Sequence, residues 1–215
     1  MNHLLIAATI QEITPYLAWL KTMPAKNKLP DVLICGIGLT ATAYHLTRQL
    51  QQKPYGLVIQ AGVAGCFSKK LSLGSVVVVK KDAIADEGVV EQAQLKTLFD
   101  LRLVPANRFP YTKTWLVNPN VDLLKKTGLR QVKGISVNEI TTARQKINFY
   151  EKGFNALTES MEGAALHYAC LMENIRFVQI RALSNYVGER NKKYWNMSES
   201  IINLNTKLIQ LVQNL

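Results

Sequence analysis

Apolar runs of strand length alternate with segments of helical period along most of this 215-residue chain. LLIAAT at 4–9 predicts a strand, and Ile10, Ile13, Leu17 and Leu20 recur behind it at helical spacing. DVLIC at 31–35 predicts a second strand, TATAYHLTRQL at 40–50 a helix, and GLVIQAG at 56–62 a strand ending in a glycine turn. SVVVVKK at 75–81 is a continuous β-branched run of the kind buried on both faces of a sheet. TWLV at 114–117, VKGISV at 132–137 and FVQIRALS at 177–184 predict further strands, and MEGAALHYACLMEN at 161–174 a helix. Between Ser198 and Leu215, residues Ile201, Ile202, Leu204, Leu208, Leu211 and Val212 give a last helix one apolar face. Alternation of this kind implies an α/β fold with a mixed, mainly parallel central sheet flanked by helices. No repeat or linker interrupts the pattern, so a single domain over 1–215 is expected. The stretch 100–113, with Pro105 and Pro110, is expected to be a long surface loop or an interface segment.

Composition changes this picture little. A hydrophobic share of 48% and a charged share of 19% are ordinary globular usage and exclude disordered and low-complexity classes. The net charge of +11 raises nucleic acid as a partner, but the lysine pairs 69–70, 80–81, 125–126 and 192–193 are scattered between apolar segments. No nucleic-acid partner is therefore expected, and the charge favours an anionic small molecule. The N-terminal apolar run is interrupted by Gln11 and Glu12 and lacks a basic flank, so neither secretion nor a membrane is expected. Cys35, Cys66 and Cys170 are odd in number and lie among apolar neighbours, which suits reduced thiols in a cytoplasmic protein. His3, His45 and His167 have no metal-ligand spacing, and Trp19, Trp115 and Trp195 are expected to be packing aromatics.

Candidate chemistry collects at the strand ends. Gly36-Ile37-Gly38-Leu39-Thr40-Ala41 is formally the G-x-G-x-x-A turn of a dinucleotide-binding unit. Such a unit wants an acidic residue about 20 positions on, where this chain has Gln60. The glycines either bring backbone N–H groups to a ligand or simply allow a tight turn. A second glycine turn, Gly62-Val63-Ala64-Gly65, is expected beside the first, at the carboxyl edge where α/β sheets bind ligands. Glu12 would face that crevice as a general base, or stand as an exposed charge at a helix start. Glu162, set among small and apolar residues, is costly to bury unless it accepts hydrogen bonds, for which paired sugar hydroxyls would serve. A helix N-terminal charge is its alternative role. Arg181 interrupts an apolar strand, and a buried guanidinium needs an anionic partner. Strand alternation places Arg181, Leu183 and Asn185 on one face.

The segments IAATIQEI at 6–13, CGIGLTATA at 35–43, QAGVAGC at 60–66, GSVVVV at 74–79, SMEGAA at 160–165 and IRALSN at 180–185 resemble a known family in order and over nearly the whole chain. That family is the purine nucleoside phosphorylase and methylthioadenosine/S-adenosylhomocysteine nucleosidase superfamily, and SMEGAA followed by IRALSN is the most specific part of the match. The resemblance implies a nucleoside phosphorylase-like fold and a purine nucleoside substrate. It implies that Glu12 activates the attacking water, Glu162 holds the ribose hydroxyls, Met161 packs on the sugar and Arg181 stands near Glu12. Gly62, Val63 and Ala64 would approach the substrate through their backbone. It further implies no metal or organic cofactor, and a homodimer or larger homo-oligomer.

Two departures from the pattern direct the expectation further. The adenosine-type nucleosidases of the superfamily carry an Asp where this chain has Asn185. An amide is a poor general acid, but it offers an acceptor and a donor side by side. That pair suits a protonated N7 and the O6 of a 6-oxopurine, whereas the 6-amino group of adenine sets donor against donor. Where the phosphorylases place an arginine and a serine, this chain has Gln60 and Val63, which argues for water rather than phosphate as nucleophile. SNYVGERNKKYW at 184–195 is similar to the futalosine hydrolase branch, of the menaquinone pathway, whose substrate carries hypoxanthine and a benzoate-bearing tail. Arg190, Lys192 and Lys193 are candidates for the tail carboxylate. A 6-oxopurine phosphorylase, a methylthioadenosine-type nucleosidase and a non-catalytic nucleoside sensor remain the alternatives.

Overall fold

The computed structural model describes residues 2–24, 29–92 and 94–215. The chain runs β1 His3–Ala7, α1 Thr14–Leu20, β2 Asp31–Ile34, α2 Leu39–Gln52, β3 Leu57–Cys66 and β4 Val76–Asp82. It continues with β5 Gly88–Glu91, β6 Gln94–Thr97, β7 Tyr111–Thr112, β8 Trp115–Val117, α3 Val121–Lys126 and β9 Arg130–Ser136. Last come α4 Arg144–Phe154, β10 Thr158–Ser160, α5 Gly163–Met172, β11 Arg176–Tyr186 and α6 Met197–Gln213. A single 3₁₀ turn, Gln11–Ile13, joins β1 to α1.

β1, β2, β3 and β11 pair in parallel, as do β4 with β9 and β9 with β10. The sheet then closes on itself. β11 pairs antiparallel with β4, and β10 pairs antiparallel with the far end of β3, so β3, β11, β4, β9 and β10 form a ring. The α/β architecture, a mixed sheet flanked by helices, is the one expected. Strand alternation sorts the core into two layers. Leu5, Ile59, Ala61, Val178 and Ile180 face Tyr16 of α1 and Leu204 and Leu208 of α6. Leu4, Ile6, Val58 and Phe177 face Leu46 and Leu50 of α2 and Leu166 and Cys170 of α5. α5 has buried residues around most of its circumference, so its sequence shows no amphipathic stripe.

Two local expectations are corrected. Gly62-Val63-Ala64-Gly65 is not a turn: β3 runs straight through it to Cys66. Its backbone is held extended by β11 along one side and by β10 at Gly65 and Cys66 on the other. Arg181, Leu183 and Asn185 do not share one face either, because β11 bulges between Leu183 and Asn185, with Ser184 as the extra residue. The bulge sends Leu183 into an apolar cluster with Val77 and Val79 while Ser184 and Asn185 reach the cleft. The β5–β6 hairpin, paired only with itself, was not apparent in the hydrophobic pattern. The segment 100–113 is mostly turns, as expected. No helix among the described residues is long and apolar enough to cross a membrane.

Candidate active site

A cleft of about 480 Å³ opens where the carboxyl ends of β1, β3, β10 and β11 meet. Its walls include Glu12, Val63, Ala64, Met161, Glu162, Asn185 and Arg190, residues far apart in sequence that the sheet order brings together. Gly62 and Arg181, both expected in the site, do not line it. They lie behind its wall, and the reason is steric. A Cβ on Gly62 would stand 2.4 Å from Arg181 Nη1 and 2.9 Å from Glu12 Oε1, so only glycine leaves the guanidinium and the carboxylate room to converge there.

Glu12 is buried on the 3₁₀ turn after β1. Its Oε1 accepts from the backbone N–H of Val63 at 3.0 Å, and its Oε2 from the backbone N–H of Thr9 at 3.0 Å and the Thr9 hydroxyl at 3.2 Å. Burial raises its pKa above the ordinary carboxylate value, and the charge of Arg181 and these amide bonds oppose the rise. The result is a carboxylate fixed at the cleft wall with heightened affinity for a proton, the property a general base requires. The exposed-helix-start alternative is ruled out by its burial.

Arg181 is 1% exposed and spends its donors on two neighbours. Nη2 donates to Gln60 Oε1 at 2.9 Å and Nη1 to Glu162 Oε2 at 3.5 Å. Gln60 therefore faces inward as the orienter of Arg181 and does not front the cleft. Glu162 also accepts from the backbone N–H of Gly38 at 3.2 Å. Gly38 has φ of 96°, a left-handed value that glycine adopts at little cost. The G-x-G turn thus directs an amide at a protein carboxylate, while Ile37 lines the cleft.

Glu162 precedes α5 at its N-cap position, yet its side chain does not cap the helix. Capping is delegated to two buried serines. Ser160 Oγ accepts from Gly163 N–H at 3.3 Å and Ser136 Oγ from Ala164 N–H at 2.8 Å, and Ser136 in turn donates to Asp82 Oδ1 at 3.0 Å. With the helix donors met this way, the Glu162 carboxylate is free to face the cleft. Asp82 is fully buried, which pushes its pKa up to about 6 against the lowering influence of Ser136 and Arg181. Gly163 belongs to the same arrangement, since a Cβ there would meet Asp82 Oδ2 and Gln179 Nε2 at 2.2 Å each.

At the other end of the cleft, Asn185 Oδ1 accepts from the Ser184 hydroxyl at 2.9 Å and Nδ2 donates to Tyr186 O at 3.1 Å. These bonds fix which end of the amide is which and leave one acceptor site and one N–H for a ligand. Arg190 sits over the Trp195 ring, 5.6 Å from its centroid, and the Trp195 indole donates to Glu189 O at 3.0 Å, so the stretch past β11 folds back onto the cleft. Lys192 and Lys193 do not line it.

Sequence reasoning missed Asp82, Ser136, Ser160 and Glu159. The first three look like ordinary strand-end residues, and the pairing of β4, β9 and β10 is what brings Ser136 and Ser160 to the start of α5 as caps with Asp82 behind Ser136. Glu159 is 8% exposed and lines the cleft. Its neighbours Thr158 and Ser160 are polar, so the local sequence carried no signal that it is buried. Among the described residues no cluster of three or more His, Cys, Asp or Glu side chains could hold a metal, and all three cysteines are buried free thiols.

The model of the phosphorylase superfamily matches residues 26–215. The chain belongs to that superfamily. Among its relatives, a futalosine hydrolase of Thermus thermophilus is 29% identical over 171 residues, covering 77% of this chain and 73% of the relative. A futalosine hydrolase of Streptomyces coelicolor is 29% identical over 184 residues, covering 81% and 76%. In structure, a 5′-methylthioadenosine/S-adenosylhomocysteine nucleosidase of Helicobacter pylori superposes with a TM-score of 0.82 at 18% identity, covering 100% of this chain and 99% of its own, a likeness of fold.

Proposed function

We propose that residues 1–215 form one catalytic unit that hydrolyses the N-glycosidic bond of futalosine, releasing hypoxanthine and dehypoxanthine futalosine. The observation that carries this reading is the pair of buried carboxylates, Glu12 and Glu162, flanking Arg181 at one end of a cleft whose other end presents the Asn185 amide. The sequence relatives named futalosine hydrolase support the choice of substrate.

In this mechanism the bond between the sugar and the base stretches first and the ribosyl ring gains positive charge. Glu162 accepts from the ribose hydroxyls and stabilises that charge. Water held by Glu12 attacks the anomeric carbon and passes its proton to the carboxylate, while the electron pair of the broken bond leaves with the base. The departing 6-oxopurine takes a proton from solvent at N7, and Asn185 accepts from that N7–H and donates to O6. Arg181 acts from behind the wall by holding the two carboxylates apart and aligned. Met161 packs on the sugar, the Val63 and Ala64 backbone borders it, and Arg190 pairs with the carboxylate of the tail. No cofactor enters the reaction.

The same reading places the enzyme in the cytoplasm as a homodimer or larger homo-oligomer. Tyr168 and Met172 stand one turn apart on α5 at 41% and 50% exposure, and the Tyr111 ring lies against Tyr168. An apolar surface of this kind is a natural subunit contact. The deciding experiment is chromatography of base release from futalosine, methylthioadenosine and inosine, with and without phosphate. Phosphate-independent release of hypoxanthine from futalosine is expected. Adenine release from methylthioadenosine with futalosine inert would overturn the substrate assignment, phosphate dependence the hydrolysis, and binding without turnover the enzyme reading.

A further inference from the structure

Val63 and Thr9 hold Glu12 at its carboxylate, but its backbone is held by a residue that the mechanism above does not use. Asn205 of α6 is 1% exposed. Its Nδ2 donates to Glu12 O at 2.8 Å and to Ile201 O at 2.7 Å, and its Oδ1 accepts from the Tyr16 N–H at 3.0 Å. These partners occupy both amide hydrogens and fix which end of the amide is which.

Glu12 O and the Tyr16 N–H are four residues apart, the two groups that an α-helix would join directly. Asn205 stands between them and takes both. The chain accordingly turns as a 3₁₀ helix over Gln11–Ile13 and becomes α-helical only at Thr14, with the junction residue Ile13 at φ −120° and ψ 16°, outside helical values. A side chain inserted into the hydrogen-bond ladder causes breaks of this kind. Were the step closed directly, Glu12 would join the first turn of α1. Its carboxylate would then leave the bearing on which the Val63 and Thr9 amides meet it.

The helix that carries Asn205 is anchored independently. Ser200 Oγ donates to Leu183 O at 2.9 Å and the Asn196 N–H to Ser184 O at 2.8 Å, so α6 also grips the β11 bulge that presents Asn185. Leu204 and Leu208 of α6 are fully buried. Loss of the Asn205 bonds therefore leaves α6 docked.

Building on the reading of Glu12 as general base, we infer that Asn205 is a positioning residue that wedges open the turn after β1 and so aims the Glu12 carboxylate at the attacking water. Asn205 does not line the cleft and acts only through Glu12.

The test is base release from futalosine by wild type, N205A, N205D, E12Q and the N205A/E12Q double variant, in steady-state and single-turnover assays, with urea unfolding alongside. N205D keeps the acceptor for Tyr16 but sets an oxygen against Glu12 O, so it breaks the wedge at nearly constant shape and serves where N205A does not fold. Both variants are expected to lower kcat about tenfold or more, with KM changed no more than about threefold. The acid limb of kcat/KM is expected to move down toward the ordinary glutamate range, because the carboxylate leaves the burial that raises its pKa. In the E12Q background N205A is expected to cost little further turnover, since the group it aims is gone. A purely structural residue would lower the unfolding midpoint, leave the acid limb in place and cost the same factor in both backgrounds. That pattern, or wild-type kcat in N205D, with turnover still lost in E12Q, overturns the role of Asn205 alone. Wild-type turnover in E12Q removes the general-base reading and this inference with it.

Discussion

Glu12 and Glu162 are both buried or nearly so, and each would be expensive without a cation. Arg181 meets both requirements from behind the wall, and Gly62 provides the space in which it does so. Because burial lifts the Glu12 pKa, the carboxylate takes up its proton at a higher pH than an exposed glutamate would. The acid limb of kcat/KM is expected to lie above the usual carboxylate range, with activity falling as pH drops through it. E12Q keeps an oxygen for one of the Val63 and Thr9 amides but cannot accept the proton of water. Its kcat is expected to fall about 10²- to 10⁴-fold, with nucleoside binding changed only a few-fold, as read by single-turnover kinetics and calorimetry. Turnover equal to wild type would remove the base assignment. These residue types were legible from the sequence, since carboxylates and an arginine in apolar surroundings announce buried chemistry. Which of them touch the cleft was not, because Arg181 sits behind its wall for want of a Cβ on another strand.

Among the elements, α5 and its borrowed caps matter most. A helix whose own N-cap side chain is diverted to the cleft needs other acceptors for its first N–H groups, and Ser136 and Ser160 supply them from β9 and β10. S136A is expected to lower stability by about 1–2 kcal/mol in denaturant unfolding. It should also reduce kcat more than it raises KM, because Glu162 loses its fixed bearing. A drop in stability with kcat intact would confine the serine to a structural role. Asp82 behind Ser136 binds a proton more tightly in the folded chain, at about 6 against an ordinary value of 3.8. The native state therefore holds more protons than the unfolded state between those values. The stability attributable to this group falls as pH rises through that window and is level above it. The shift corresponds to about 3 kcal/mol, and D82N is expected to flatten the slope between pH 4 and 6 in urea titrations. The hydrophobic periodicity located α5 and the strand that follows it, yet Ser136 could not be recognised as a cap, because a capping partner 28 residues distant leaves no local pattern.

For the whole molecule, the exposed Tyr168 and Met172 of α5 are the surface on which assembly is proposed. M172D is expected to shift the sedimentation coefficient toward that of a monomer without lowering the unfolding midpoint of the monomeric unit. An unchanged sedimentation profile would move the contact elsewhere. The α/β class, the long strands and helices of the main sheet, the buried free thiols and the candidacy of Glu12, Glu162 and Asn185 were determined by the sequence alone, because apolar periodicity and residue chemistry are local properties. Tertiary structure alone decided that the sheet closes into a ring, that the glycine run 62–65 stays extended, and that a bulge at Ser184 carries Asn185 to the cleft. It alone set Glu159 opposite Asn185 across Gly65. Each of these rests on which strands pair and in what register. Those choices are settled by backbone hydrogen bonds and packing between residues distant in the chain, and no window of sequence contains both partners.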